Sequence, residues 1–438
     1  MFLAKVRIVG IHLLILGVVG VSATAASLSF GRMPERPRAR HFPVLPVRIK
    51  QGGIVGPISL AMAGMPADAG VRSPRRRSAA IHAIVLSPGK VVLRAGGEIV
   101  RAFTVPRRSP SLAGLVRLIA NHSWITQPEP GVIYLRAALI VTAGASLTVG
   151  RPVTRFVLAN RPGVFLGADH AALLIKSVTV ESTTLRYTGS YRPFILAERG
   201  SHLRITRARL IGLGWDWSDS YGVAWKDGAT GGATRSTFSN NYFGLYMGGV
   251  SGLDFTNDTV TNNYFYGFDP HTYSRNLAIR KNTVTGNGRH GIIFSGHVTD
   301  SIVADNTVRG NAANGIMMDD VSTGNLIQGN IVAGNHGDGI VLASSPDNRI
   351  VGNVVRGNRE GVRLTRTGPR RVRLAGNVVT ANSRNTEGIL NAGGNSIASD
   401  TRLAWNGDCL AVIWTLAGVL VTVALMSLTF GLRGRDTR

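Results

Sequence analysis

The chain has 438 residues, a formal charge of +25 from 49 Lys+Arg against 24 Asp+Glu, one cysteine and 54 glycines. That length holds one large domain or two to three ordinary ones. The charge points to polyanionic partners such as nucleic acid, anionic lipid or acidic polysaccharide; the lone Cys409 excludes an intrachain disulfide, and the glycines follow no collagen-like period.

Residues 8–21 (IVGIHLLILGVVGV) follow Lys5 and Arg7 and precede the small residues SATAAS. A charged start, an apolar centre and a small-residue zone predict a secretory signal over 1–25, cut near Ala25, or an uncleaved N-terminal anchor. Residues 26–80 read as an extended Pro/Arg-rich segment of poor order, since ten of the 18 prolines fall between 28 and 110. Residues 81–130 are expected to hold a few strands and one short helix. In SLAGLVRLIANH (111–122), Leu112, Leu115, Val116 and Ile119 share one helical face.

The chain then repeats. NTVTGNGRHGIIF, NTVRGNAANGIMM, NIVAGNHGDGIVL, NVVRGNREGVRL and NVVTANSRNTEGIL begin at Asn282, Asn306, Asn330, Asn353 and Asn377, at spacings of 24, 24, 23 and 24. A fixed period with short β-branched runs broken by Asn and Gly predicts an all-β parallel β-helix solenoid, placed at 131–390. The recurring asparagines are expected to stack as a hydrogen-bonding ladder. An open solenoid end needs covering, and the 111–122 helix stands where an N-terminal capping helix belongs. After a linker at 391–409, residues 410–432 hold 23 positions without a charge, enough for a transmembrane helix. Arg433, Arg435 and Arg438 follow, so the 433–438 tail is expected in the cytoplasm and the β-helix outside it, at the cell membrane.

The repeat glycines Gly222, Gly244, Gly267, Gly291, Gly315, Gly339 and Gly361 set a register. Side chains alternate across a strand, so the apolar residues one and three places after each glycine, Phe268 and Pro270 among them, face the core. The second and fourth places face out. Lys226, Tyr246, Asp269, His271 and Asp319 therefore share one outer wall, with Lys226 and Asp319 each about 10 Å from His271 on opposite sides. Asp-Pro-His at 269–271 breaks the repeat consensus. A His beside an Asp suits an oriented general base, and a nearby cation suits a developing carboxylate dianion. The candidate catalytic residues are His271 and Asp269. The candidate polymer-binding residues are Lys226, Tyr246, Arg289, His290, His297, Asp319 and Asp320, with Trp215, Trp217 and Trp225 as further rings for stacking on sugars. Asp269, Asp319 and Asp320 also offer hard oxygens for calcium, although the Gly-Gly-x-Gly-x-Asp repeat is missing. No nucleic-acid-binding signature accompanies the charge.

YRPFILAERGS (191–201), NNYFYGFDPHTYSRNLAIRKNTVTGNGRHGIIFS (262–295) and the repeats after them resemble the periplasmic alginate C5-epimerase family. The likeness covers about 130–390 and implies a secreted right-handed parallel β-helix acting on poly-mannuronate, with His271 as base and Asp269 as its partner in the motif. Two positions depart from the family pattern. Thr272 stands where a second Asp is usual, and Gly296, followed by His297, stands where an Arg neutralises the substrate carboxylate; Lys226, Arg289 or His297 are the cations left to replace it. The C-terminal apolar span is also outside that pattern. Two readings follow: an enzyme that abstracts the C5 proton of an acidic polysaccharide, for epimerisation or β-elimination, or a non-catalytic polysaccharide-binding scaffold working with synthesis or export machinery. A cell-surface adhesion solenoid is a third.

Overall fold

The computed structural model describes residues 81–106, 110–120, 123–367, 371–387 and 396–397, all within one compact unit spanning Val55–Arg438. The expected signal or anchor at 1–25, the 26–80 segment, the 410–432 span and the 433–438 tail lie outside the described residues. No helix among the described residues is long and apolar enough to cross a membrane.

The fold is a right-handed-type β-solenoid of about ten turns. Its strands form three sheets of 14, 10 and 13 strands, in which coil follows coil along each sheet. Each coil contributes one short strand to each sheet. Ala138–Thr142, Ser146–Gly150 and Arg155–Leu158 are an early example, and Ile292–Ser295, Ile302–Ala304 and Thr307–Arg309 a later one. Neighbouring coils pair in parallel without a register shift. Short strands ending in Asn, Asp or Gly suit this path, because each corner needs a left-handed residue. Asn257, Asn262, Lys281 and Asp305 occupy such positions with φ of +59°, +54°, +56° and +56°.

The core is one apolar column after another. Leu245, Phe268, Ile292, Ile316, Ile340 and Val362 stack in register and are fully buried. Each such side chain contributes roughly 1.5–3 kcal/mol of burial. Asparagine ladders line the corners. Asn282 Nδ2 donates to Asn306 Oδ1 at 3.0 Å, Asn306 to Asn330 at 3.0 Å, Asn330 to Asn353 at 2.9 Å and Asn353 to Asn377 at 3.0 Å. A second ladder, not expected from the leading asparagines, runs Asn263, Asn287, Asn311, Asn335, Asn358, Asn382 at 2.8–3.1 Å. These bonds satisfy amides that would otherwise be buried without partners.

At the N-terminal end, His82–Ser87, Lys90–Ala95 and Glu98–Thr104 form an antiparallel meander that joins the first sheet through Ala138–Thr142. The helix spans Leu112–Ile119, with Ser111 accepting from Gly114 N at 3.2 Å as N-cap and a left-handed Ala120 closing it. Leu112, Leu115, Val116 and Ile119 join the solenoid core, as their shared face requires. At the other end the expected 391–409 linker contains one more rung, since Ser396–Ile397 pairs with Val378–Val379.

Candidate active site

The strand Phe268–His271 lies in the first sheet between Leu245–Gly248 and Ile292–Ser295. All four of its residues pair with Leu245–Gly248, but only Phe268 and His271 pair with the next coil. Pro270 has no N–H to give that ladder. Pro270 faces the core in register with Met247. Two consecutive left-handed residues, Thr272 and Tyr273 (φ +37° and +59°), then turn the chain. Ser274 Oγ donates to His271 O at 2.7 Å and holds that turn closed.

The register expected from the repeat glycines is the one observed. Lys226, Gly248, His271, Ser295 and Asp319 are successive cross-strand neighbours, as are Ala224, Tyr246 and Asp269. What surrounds them differs from an open wall. Tyr221, Phe243, Tyr246, Phe265, Tyr266, Asp269, His271, Ile293 and Ser295 enclose a cleft of roughly 250 Å³. The residues before Gly222, Gly244 and Gly267 build one side of it. Tyr221 stacks on Phe243 (4.8 Å), Phe243 meets Tyr266 at a tilt (5.1 Å), and Tyr266 stacks on His290 (5.4 Å). Reading that column off the sequence would have found this aromatic lip. The glycines allow it to sit so close: a Cβ on Gly267 would stand 2.4 Å from Gly291 O and 2.8 Å from Val284 Cγ1.

Asp269 is only 2% exposed, and its Oδ1 has no hydrogen-bond partner. The expectation of an outward, solvated carboxylate is corrected: rings from neighbouring coils cover it. Burial drives its pKa well above the usual carboxylate range. Nor does it orient His271. The ring Nδ1 of His271 instead meets the Thr272 hydroxyl. In the tautomer whose Nδ1–H donates there, Nε2 keeps its lone pair. Burial lowers the His271 pKa below 6.5, opposed by the charge of Asp320. Burial thus disfavours the charged form of both the imidazole and the carboxyl. Burial also raises the hydroxyl pKa of Tyr221 to about 12 and those of Tyr246 and Tyr266 further, so these hydroxyls keep their protons. Tyr246 lies 6.0 Å from the His271 ring, and its hydroxyl stands 3.0 Å from where a Cβ on Gly248 would be.

Other expected site residues are placed elsewhere. Trp225 is fully buried, donates to Leu203 O at 3.1 Å and meets Phe255 edge-on, so it serves the core and not a sugar. His290 is also corrected: it is 7% exposed, its Nδ1 accepts from Asn314 N at 3.1 Å, and burial takes its pKa down to about 3. Lys226 is bound to the carboxylate of Asp219. It anchors the turn that carries Trp215 and Trp217, which stack at 5.6 Å and stay partly exposed. Arg289 is exposed, with its guanidinium 5.0 Å over Phe265 and 5.7 Å from Tyr266. His297 is exposed and lies 5.0 Å from Tyr273. Asp319 Oδ1 accepts from Asp320 N at 2.9 Å. Asp269, Asp319 and Asp320 do not gather for calcium: no group of three or more His, Cys, Asp or Glu among the described residues is placed to hold a metal.

One residue escaped the sequence reading although YRPFILAERGS contains it. Arg192 is 1% exposed and donates to the carbonyls of Leu185, Leu213, Gly214 and Asn240 at 2.7–3.2 Å. It knots together the turns that carry the Trp215 to Tyr221 wall, and burial lowers its pKa to about 10.

Comparison with known proteins places this geometry. The family model described as periplasmic copper-binding protein (NosD) matches residues 215–368 and 295–407. The mannuronan C5-epimerase AlgG of Azotobacter vinelandii is 28% identical over 210 residues, 44% of this chain and 40% of that protein. A mannuronan C5-epimerase of Pseudomonas aeruginosa is 31% identical over 180 residues, 36% of this chain and 33% of the relative. The chain thus spans about two fifths or less of the length of these relatives. The crystal structure of the periplasmic alginate epimerase AlgG superposes with a TM-score of 0.60 at 28% identity, covering 62% of this chain and 69% of that one. Through its β-solenoid, the chain is homologous to the mannuronan C5-epimerase AlgG.

Proposed function

We propose that the protein is an extracytoplasmic enzyme that epimerises a uronate polymer at C5, with His271 as the base. The observation that supports this most is the placing of His271, its Nδ1 against the Thr272 hydroxyl, at an aromatic cleft of roughly 250 Å³. Nε2 takes the C5 proton, and the electron pair moves into the uronate carboxylate. A proton delivered from solvent water to the opposite face inverts C5, with His271 giving its own proton back to solvent, whereas loss of the O4 substituent would cleave the chain. Homology to C5-epimerases favours inversion. Aromatic faces suit the apolar side of a sugar, and the +25 charge suits a polyanion. Attachment to a membrane through 410–432, with the tail inside the cell, and work beside polysaccharide export machinery belong to the same proposal.

Gly296 favours a second reading, a binding scaffold without turnover, because the residue that would neutralise the substrate carboxylate is missing at that position. Wild type and His271→Ala, each incubated with polymannuronate and with other polyuronates, separate the two. C5 inversion seen by NMR in wild type alone supports the enzyme. New ultraviolet-absorbing unsaturated ends would make it a lyase. Polymer binding with no change by either assay supports the scaffold.

A further inference from the structure

If a uronate enters this cleft, its carboxylate needs a positive partner, and Gly296, the position after Ser295, has no side chain to supply one. The same corner on the adjacent coils holds the side-chain-bearing Thr272 and Asp320 (φ +37° and +49°), so this rung alone leaves the position bare. That lip of the cleft carries Asp319 and Asp320, two rungs beyond His271 and one beyond Ser295. It repels a carboxylate. Of the three cations available from the sequence, Lys226 is held by Asp219, and His297 lies against Tyr273 on the same lip as the acids. Arg289 is on the other lip. Its backbone is fixed on both sides: Arg289 N donates to Phe265 O and Ala313 N donates to Arg289 O, each at 2.8 Å. Its guanidinium covers Phe265 and Tyr266, both of which line the cleft. It makes no ion pair among the described residues and stays exposed. A guanidinium held on aromatic faces keeps its five donors free for a planar anion.

We propose that Arg289 receives the carboxylate of the uronate whose C5 faces His271, taking over from the opposite lip the task that Gly296 cannot perform. The proposal rests on the polyuronate reading and names the charge partner of that site. The acids at 319 and 320 and the cation at 289 set a direction across the cleft. The carboxylate points toward the Phe265–Tyr266 side, which leaves C5–H on the His271 side. As the C5 proton leaves, the second negative charge develops on that same carboxylate, so the pairing strengthens in the transition state.

The test compares wild type, Arg289→Ala and Arg289→Lys on polymannuronate, reading kcat and KM for C5 inversion, with thermal melts to confirm folding. The proposal expects Arg289→Ala to lose about 100- to 1000-fold in kcat, with partial recovery in Arg289→Lys. An unchanged kcat, whether or not KM rises, overturns it, since Arg289 would then only hold distant parts of the polymer or nothing. Binding to polymannuronate and to its neutral methyl ester gives an independent arm that needs no turnover. Wild type should prefer the charged polymer and Arg289→Ala should lose that preference; a retained preference overturns the proposal. Failure of C5 inversion in wild type would sink the enzymatic reading by itself, while the binding arm still decides the role of Arg289.

Discussion

Asp269 and His271 stand two residues apart on one strand, yet they share no hydrogen bond: the imidazole Nδ1 meets Thr272, and Asp269 Oδ1 meets nothing. An Asp that oriented and charged the base would raise the histidine pKa. A neutral, buried one would not. Asp269→Asn, which keeps the shape of the protonated carboxyl, is therefore expected to leave the midpoint of the pH–rate profile where it was. A fall of about one unit would reveal an ionised Asp–His pair.

Thr272 has the opposite standing. The base must be neutral to act, and burial lowers its pKa, so the rate should rise with pH to a midpoint below 6.5 and level off above it. Thr272→Asp places a carboxylate against Nδ1 and stabilises the imidazolium; the midpoint should move upward by about one unit. Thr272→Val removes the Nδ1 partner and frees the tautomer, with an expected loss of roughly tenfold in kcat. A pH–rate profile indifferent to both changes would show that another group fixes the ring.

Lys226 and Asp219 form a largely buried pair at the base of the Trp215–Tyr221 turn. Breaking either side strands the other charge. Lys226→Met and Asp219→Asn should each cost about 1–3 kcal/mol, and the double variant less than their sum. A double-mutant cycle in urea measures the coupling; strict additivity would mean the pair contributes nothing to holding the cleft wall.

Asp258 occupies a ladder position that asparagine holds in the following coils. Its Oδ1 accepts from Ser236 N at 2.8 Å, but its Oδ2 has no partner, where Asn282 presents an amide to Asn306 and Phe255. Burial pushes the Asp258 pKa to about 7, against about 4 unfolded. The folded state therefore binds the proton more tightly. The stability from that proton is full below about pH 4 and is lost as pH rises to 7. Asp258→Asn should stabilise the protein by about 2–4 kcal/mol above pH 7 and by progressively less toward pH 4. Melting temperatures of both proteins across that range check it; parallel curves would contradict the assignment.

The repeat spacing carried the solenoid, the ladder at Asn282 to Asn377 and the cross-strand columns, because stacked identical coils admit one register. The site was legible as far as those columns reach. Asp269 was found but its environment was not: an outward position says nothing about whether rings from Tyr246 or Tyr266 fold over it. His290 failed for the same reason, standing in the aromatic column before the glycines. Trp225 was legible as core from its place in the third column, and its hydrophobic setting prevails over its capacity to stack on sugar. Arg192 gave no periodic signal, since its partners are carbonyls of irregular turns.

The most direct test of the central claim is solvent-deuterium incorporation at C5 of polymannuronate, followed by NMR, in wild type and His271→Asn with folding confirmed by melting. The account expects deuterium at C5 with wild type, accompanied by guluronate, and a loss of at least about 100-fold with the variant. Equal incorporation by both proteins would show that some other group removes the proton, and the role assigned to His271 would be wrong.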